Sequence, residues 1–423
     1  MNRREALSRI GRLIFGAAAA LGLSVTGEAG DTKPKLRCRP VISGPLWWFD
    51  PEESARWGES GGSTELTKIW RDELDRQRKI GFDLLWLVNT SAALDHADDP
   101  LKTVLDLCAK RKVQVILDTG TAPGVWYKDF DPKRELEACG KHIEHLAERF
   151  RGHPAFYAWY IPHEIYMCWG EWADKIETLY AGLTEQCKKA ADLPVTLSPF
   201  FILDREKIFG DFRFNEPDGY RRYWARLIKK SGLDVIMLQD SGEHFSYVTN
   251  EQREPFFRAM YDACREGGAK LWGNVETAEF ECPSIEEYVR RYGRVHHSTV
   301  KNAPWRPVPT ERLKEKLDLA ARYSERIVTW GYKEYCRPAL GSTAQKWYED
   351  YRRYAREVKD WKLKVESRRN PEPRIPHPKP LARKPCFGHK SVNVRRRRAD
   401  DDGTAVRQDE RAVIGGLELA ANL

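Results

Sequence analysis

The chain has 423 residues, 41% of them hydrophobic and 32% charged, with a formal charge of +8 and nine cysteines. That apolar fraction sustains a large buried core and excludes a chain disordered throughout. The cysteines stand singly, with no CxxC pair, which excludes a disulfide framework and a zinc-ligand spacing. Much of the basic excess lies towards the C-terminus, in Arg395, Arg396, Arg397 and Arg398, so it implies nothing about the partner of the folded part.

The N-terminus opens with Arg3, Arg4, Arg9 and Arg12, continues in an apolar stretch from Leu13 to Val25, and passes through small and polar residues to Asp31. This order describes a secretory signal over residues 1–30, and the Arg3-Arg4 pair resembles a twin-arginine signal. The apolar stretch is too short to span a bilayer comfortably, a signal anchor being the alternative reading. The expectation is therefore an exported protein, periplasmic or extracellular, without stable membrane insertion once the signal is removed.

From residue 40 to 360, short apolar runs alternate with amphipathic stretches. The runs predict strands over Pro40–Phe49, Phe82–Asn89, Val113–Thr119, Phe156–Pro162, Val195–Phe200, Val235–Gln239, Lys270–Val275 and Ile327–Trp330. The stretches between and after them predict helices: Ser63 or Thr64 to Ile80, Pro100–Lys110, Pro132–Phe150, Trp172–Ala191, Tyr220–Lys230, Glu251–Glu266, Thr310–Tyr323 and Gln345–Lys359. Eight strand–helix units argue for a closed parallel barrel, the (β/α)8 or TIM barrel, as a single domain over residues 36–360. An open doubly wound sheet would carry a glycine-rich turn after its first strand, and Ser43-Gly44-Pro45-Leu46 is not one. Residues 361–423 are Pro-rich, then basic, then rich in Asp, Gly and Ala, and are expected to form a disordered tail.

Active sites of such barrels lie at the C-terminal ends of the strands, so the strand ends are the informative residues. They are Trp47-Trp48 on the first strand, Asn89 on the second and a loop containing Trp126 after the third. The fourth to sixth end in His163-Glu164, Ser198-Pro199-Phe200-Phe201 and Gln239-Asp240; the seventh ends in Asn274-Val275-Glu276 and the eighth in Trp330-Gly331-Tyr332. Two glutamates on one aromatic rim match what glycosidic cleavage needs, a proton donor and a nucleophile or base either side of the scissile bond. Period-two alternation puts Trp272, Asn274 and Glu276 on one face of the seventh strand. Glu279 and Glu281 are the neighbours that could replace Glu276, and Asp240 is a further carboxylate.

Glutamates ending strands four and seven, with Trp330 ending strand eight, resemble the large clan of retaining glycoside hydrolases built on (β/α)8 barrels. The stretch Phe156–Glu164 with Ser198-Pro199-Phe200-Phe201, Gln239-Asp240 and Asn274–Thr277 resembles more closely a poorly characterised bacterial barrel family, usually filed as a domain of unknown function with suspected glycosidase activity. The resemblance covers about residues 36 to 360. It implies Glu164 as acid/base and Glu276 as nucleophile, acting on a poly- or oligosaccharide. His163, Asp240, Asn89, Asn274, Trp47, Trp48, Trp126, Trp330 and Tyr332 are the expected substrate-binding residues. Two positions depart from the clan: His163 stands where Asn usually precedes the acid/base, and Gln239-Asp240 where many members carry a Tyr. No metal, cofactor or nucleic-acid partner is expected, and the alternative is a barrel that binds carbohydrate in exopolysaccharide handling without cleaving it.

Overall fold

The computed structural model describes residues 36–49, 63–94, 99–124, 126–210, 212–241 and 244–369. The expected signal over residues 1–30 and residues 370–423 of the expected tail over 361–423 lie outside these, whereas residues 361–369 of that tail are helical. In chain order the main elements are β1 (Leu46–Trp48), α1 (Ser63–Lys79), β2 (Leu84–Val88), α2 (Ser91–Leu94), α3 (Pro100–Arg111), β3 (Gln114–Asp118), α4 (Pro132–Phe150), β4 (Phe156–Ile161), α5 (Glu171–Ala190), β5 (Val195–Leu197), α6 (Pro217–Ser231) and β6 (Val235–Gln239). They continue with α7 (Asn250–Gly267), β7 (Lys270–Asn274), β8 (Ala278–Phe280), α8 (Ile285–Tyr292), β9 (Trp305–Pro307), α9 (Thr310–Tyr323), β10 (Arg326–Val328) and α10 (Ser342–Arg369).

Eight strands form one parallel sheet in the order β1-β2-β3-β4-β5-β6-β7-β10. Its two edges meet through a parallel bridge between Pro45 and Thr329, with Leu46 N donating to Thr329 O at 2.7 Å and Thr329 N to Gly44 O at 3.1 Å. The architecture is a (β/α)8 barrel. Closure brings the backbones close together, and a Cβ on Gly44 would sit 1.8 Å from the Leu84 carbonyl oxygen, so only glycine fits there.

Alternation along the strands sorts side chains into two cores. Leu84, Trp86, Ile116, Ala158, Tyr160, Met237, Trp272 and Val328 fill the barrel interior. Their odd-numbered neighbours, such as Leu85, Leu87, Leu117, Trp159 and Leu271, pack outward against the helices in the main core. Each long helix meets that core along one stripe, as in α5, where Ile176, Leu179, Tyr180, Leu183 and Cys187 are buried. A Leu→Ala change in such a stripe costs about 2–5 kcal/mol. The eight described cysteines, Cys38 to Cys336, are free thiols. Among the described residues no helix is long and apolar enough to cross a membrane.

Several features were not predicted, the one-turn α2 among them. An antiparallel hairpin, β8 with β9, and the short α8 follow β7, and a single π-helical turn over Tyr332–Cys336 follows β10. Three-residue strands and a one-turn helix carry too few residues to show a period, and the eight residues of α8 too few to sustain one. α10 also runs past the expected end at Lys359 to Arg369, because Trp361–Arg369 contains no Gly or Pro and Pro371 is the first residue that cannot continue a helix. The loops after β4, β5, β6 and β7 build a second apolar cluster over the barrel mouth, with Tyr166, Phe200, Phe209, Phe245, Phe280 and Tyr288 at its centre.

Candidate active site

Glu164 lies beyond the tip of β4, on the alternation of Ala158 and Tyr160, and so on the inward face. Its carboxylate is held at both oxygens: the Tyr160 hydroxyl donates to Oε1, and Gln239 Nε2 donates to Oε2 at 2.9 Å. Gln239 ends β6 and uses its other amide proton on Ser198 O at 3.0 Å. Burial pushes the Glu164 carboxyl up to about 7, against the two hydrogen bonds, which pull it down.

Glu276 lies beyond the tip of β7, on the inward face of Trp272 and Asn274. It is 2% exposed, and Oε2 is buried without a hydrogen-bond partner. Its burial and the neighbouring Asp240 carboxylate push its carboxyl well above the usual range. The Lys316 ammonium pulls it down, while Glu164 and Glu334 push it further up. Glu276 therefore feels the charge of Glu164 across one barrel mouth.

Glu279 and Glu281 do not compete for this position. Both lie on or just after β8, where Glu279 is buried between Arg306 and Arg312 and Glu281 pairs with Arg306. Asp240 is likewise committed, forming an ion pair with Lys316 at 2.9 Å. Asn274 lies under Glu276 and donates from Nδ2 to Ser198 Oγ at 3.1 Å.

The other expected ligands divide. Trp48, 38% exposed at the end of β1, and half-buried Trp330 reach the mouth. Asn89 adopts a left-handed backbone (φ 65°) and spends its side-chain amide on Phe49 O at 3.0 Å, tying β2 to β1 at the rim. Trp47, Trp126, His163 and Tyr332 are not brought to the mouth. Trp47 packs outward on Trp70, and the Tyr332 hydroxyl donates to Glu73 on α1. His163 falls on the outward face of its strand with Trp159 and Ile161, fully buried, with Nε2 3.0 Å from Glu135 Oε2 of α4 and Trp126 packed on its ring edge. Strand parity is the physical reason: one residue before an inward-facing Glu164, a side chain must point into the helix layer.

Comparison with known proteins places this architecture. A family model described as Domain of unknown function (DUF4434) matches residues 67–341. The chain belongs to the DUF4434 family. No curated protein matches its sequence. Among solved structures, the DUF4434 barrel is similar to a proposed α-L-fucosidase from Bacteroides thetaiotaomicron, at 18% identity and a TM-score of 0.56, over 78% of this chain and 99% of that one. Two lower scores are an endo-β-1,4-mannanase from Thermotoga petrophila (12% identity, TM-score 0.47, 76% and 77% covered) and a family 5 glycoside hydrolase from Bacteroides vulgatus (12%, 0.43, 67% and 60%). The first of these likenesses shows a shared barrel fold.

Several residues of the DUF4434 mouth escaped the sequence reading. Tyr160 is an interior strand residue whose hydroxyl becomes visible as a partner only when Glu164 is placed four residues on. Trp305 of β9, Tyr335 of the π turn and His244 surround Trp330, with ring centroids 5.8, 6.1 and 5.4 Å from it. Lys316 and Arg253 did leave a signal, since each is a cation inside the apolar stripe of its helix.

Proposed function

We propose that this protein is a glycoside hydrolase acting outside the cytoplasm on a poly- or oligosaccharide, with Glu164 as acid/base and Glu276 as nucleophile. The observation that carries the reading is the pair itself: two carboxyls at the tips of β4 and β7, each held above its ordinary proton affinity, on the inward face of one barrel mouth with Trp48 and Trp330. Glycosidic cleavage requires one proton on the pair, on Glu164, with Glu276 ionised, and the Lys316 ammonium is the neighbour that favours the Glu276 carboxylate.

In the first step Glu164 gives its proton to the glycosidic oxygen while a Glu276 oxygen bonds to the anomeric carbon, and the C–O bond to the leaving sugar breaks. In the second, Glu164 takes a proton from water, whose oxygen displaces Glu276 from the anomeric carbon and regenerates both carboxyls. A carboxyl poised at about 7 serves both halves, as acid and then as base. The indole faces would hold the sugar ring and exclude water from the reacting centre. The basic and apolar pattern of residues 1–30 supports export.

The test is hydrolysis of a panel of aryl glycosides and oligosaccharides by the wild type, Glu164→Gln and Glu276→Gln. The expected result is release of product by the wild type, a loss of roughly 10²–10⁴-fold or more in each variant, and unchanged sugar binding by calorimetry. Sugar binding without turnover in all three proteins would overturn hydrolysis in favour of a carbohydrate-binding barrel.

A further inference from the structure

Helix α9 buries Leu313, Leu317, Ala320 and Ala321 against the barrel, and Lys316 sits in the same stripe, 4% exposed. Helix α7 does the same with Arg253 among Phe256, Phe257, Met260 and Cys264. Lys and Arg are almost never so buried unless paired, and here two neighbouring helices aim one cation each at the tips of β6 and β7. Lys316 Nζ lies 2.9 Å from Asp240 Oδ2 and donates to the Glu276 carbonyl oxygen at 2.8 Å. Arg253 donates from Nε to Asp240 O at 3.0 Å and from Nη1 to Val248 O at 2.7 Å, with Asp240 Oδ2 3.9 Å away.

The charged groups facing Glu276 are Asp240 from β6, Lys316 from α9, Glu164 from β4 and Glu334 from the turn after β10. Arg253 and His244 face the same Asp240–Lys316 pair. Asp240 offsets one of the two buried cations. An ionised Glu276 adds a second negative charge facing the Lys316 ammonium, after that of Asp240.

We propose that Lys316 is a positioning residue for Glu276: from the outer helix layer it fixes the main chain at the β7 tip and supplies the counter-charge that lets the Glu276 carboxylate form beside Asp240. This rests on the reading of Glu276 as the reacting carboxylate. Removing the ammonium leaves Glu276 facing Asp240, Glu164 and Glu334, so its proton is held more tightly; removing the Asp240 charge leaves it facing an uncompensated cation, so its proton is released more easily.

The experiment is a titration of the full chain labelled with ¹³C at glutamate carboxyls, the Glu276 signal being the one lost in Glu276→Gln. Lys316→Met should raise its midpoint by about 1–3 units, Lys316→Arg should return it most of the way, and Asp240→Asn should lower it. A purely structural lysine would lower the melting temperature in Lys316→Met without moving that midpoint, and that result overturns the proposal, as does movement in the same direction in Lys316→Met and Asp240→Asn. Should Lys316→Met not fold, Asp240→Asn carries the test by a lowered midpoint and Lys316→Arg by one near that of the wild type, and a midpoint not lowered in Asp240→Asn overturns the proposal. The titration needs no turnover. An unmoved midpoint in an active enzyme defeats Lys316 alone, whereas the expected shifts in a protein that cleaves no glycoside uphold the charge pairing and defeat the nucleophile reading.

Discussion

The two sides of the barrel mouth hold their glutamates by different physics. On the β4 side, Glu164 is half-buried and receives a neutral donor on each oxygen, Tyr160 and Gln239. On the β7 side, Glu276 is buried with an unpartnered oxygen; burial raises its carboxyl most, and charges come next, Asp240 against ionisation and Lys316 for it. Behind each lies a polar pair supplied by an outer helix, His163 with Glu135 on one side and Asp240 with Lys316 on the other. The difference teaches that a carboxyl can be tuned by what it bonds or by what surrounds it. The first arrangement is local and moderate in effect; the second is strong and spread over several elements.

If the β7 side is held by charge, breaking its ion pair should be the most damaging change. Asp240→Ala leaves the buried Lys316 ammonium without its 2.9 Å carboxylate partner and should cost about 3–5 kcal/mol of stability, read from denaturant midpoints. A loss within about 0.5 kcal/mol, the range of surface substitutions, would mean the pair is not held as described. The supporting pair behind Glu164 should matter less. Burial raises the Glu135 carboxyl, but the hydrogen bonds of His163 and the Ala122 N–H outweigh it and hold it below the usual range. Glu135→Gln keeps the shape, removes the charge, and should cost about 1.5–3 kcal/mol.

Glu135 also carries a pH signature. Because its folded value is depressed, its stabilisation is present at neutral pH and is lost as pH falls below the ordinary glutamate value and through the folded one. Glu135→Gln should remove that acid-side dependence.

Smaller still is the effect of one neutral donor. Gln239→Leu removes the bond to Glu164 Oε2 and should move the alkaline limb of activity upward from about 7 by less than about one unit. Movement downward would contradict the hydrogen-bond account of the β4 side.

The smallest effect belongs to the aromatic cluster between hairpin and mouth. His297 is fully buried among Phe245, Phe280 and Trp305, with neither ring nitrogen partnered. Burial holds its proton affinity well below the ordinary value, as it holds His244 and His296 at about 4. Below about pH 6.5 the unfolded chain takes protons that the folded one refuses, so stability falls with pH down to about 4. His297→Phe should gain about 1 kcal/mol more at pH 6 than at pH 8, in thermal melts at the two values.

Much of this was legible in the sequence. All eight barrel strands overlap their predicted ranges because Leu84–Val88 or Val235–Gln239 is a short apolar run between helical stretches, and a closed parallel sheet leaves each strand buried on both faces. The inward face of Glu276 followed from counting by twos from Trp272. The same count applied to β4 would have turned His163 away from the mouth, since it shares parity with Trp159 and not with Tyr160. Trp47 and Tyr332 were misread for want of burial, which residue type does not reveal: an indole or phenol at a strand end can face either layer. Lys316, Arg253 and Glu135 were readable in principle as charges inside apolar stripes, but their partners lie on other elements and emerge only with the barrel closed.

The central claim is that Glu276 attacks the anomeric carbon while Glu164 handles the proton. Its most direct test is covalent trapping: incubation with a panel of 2-deoxy-2-fluoroglycosyl fluorides, which slow release of a glycosyl-enzyme, followed by peptide mass spectrometry. The account predicts one glycosyl adduct, on the peptide bearing Glu276, absent from Glu276→Gln. An adduct on Glu164 or Asp240 would contradict it.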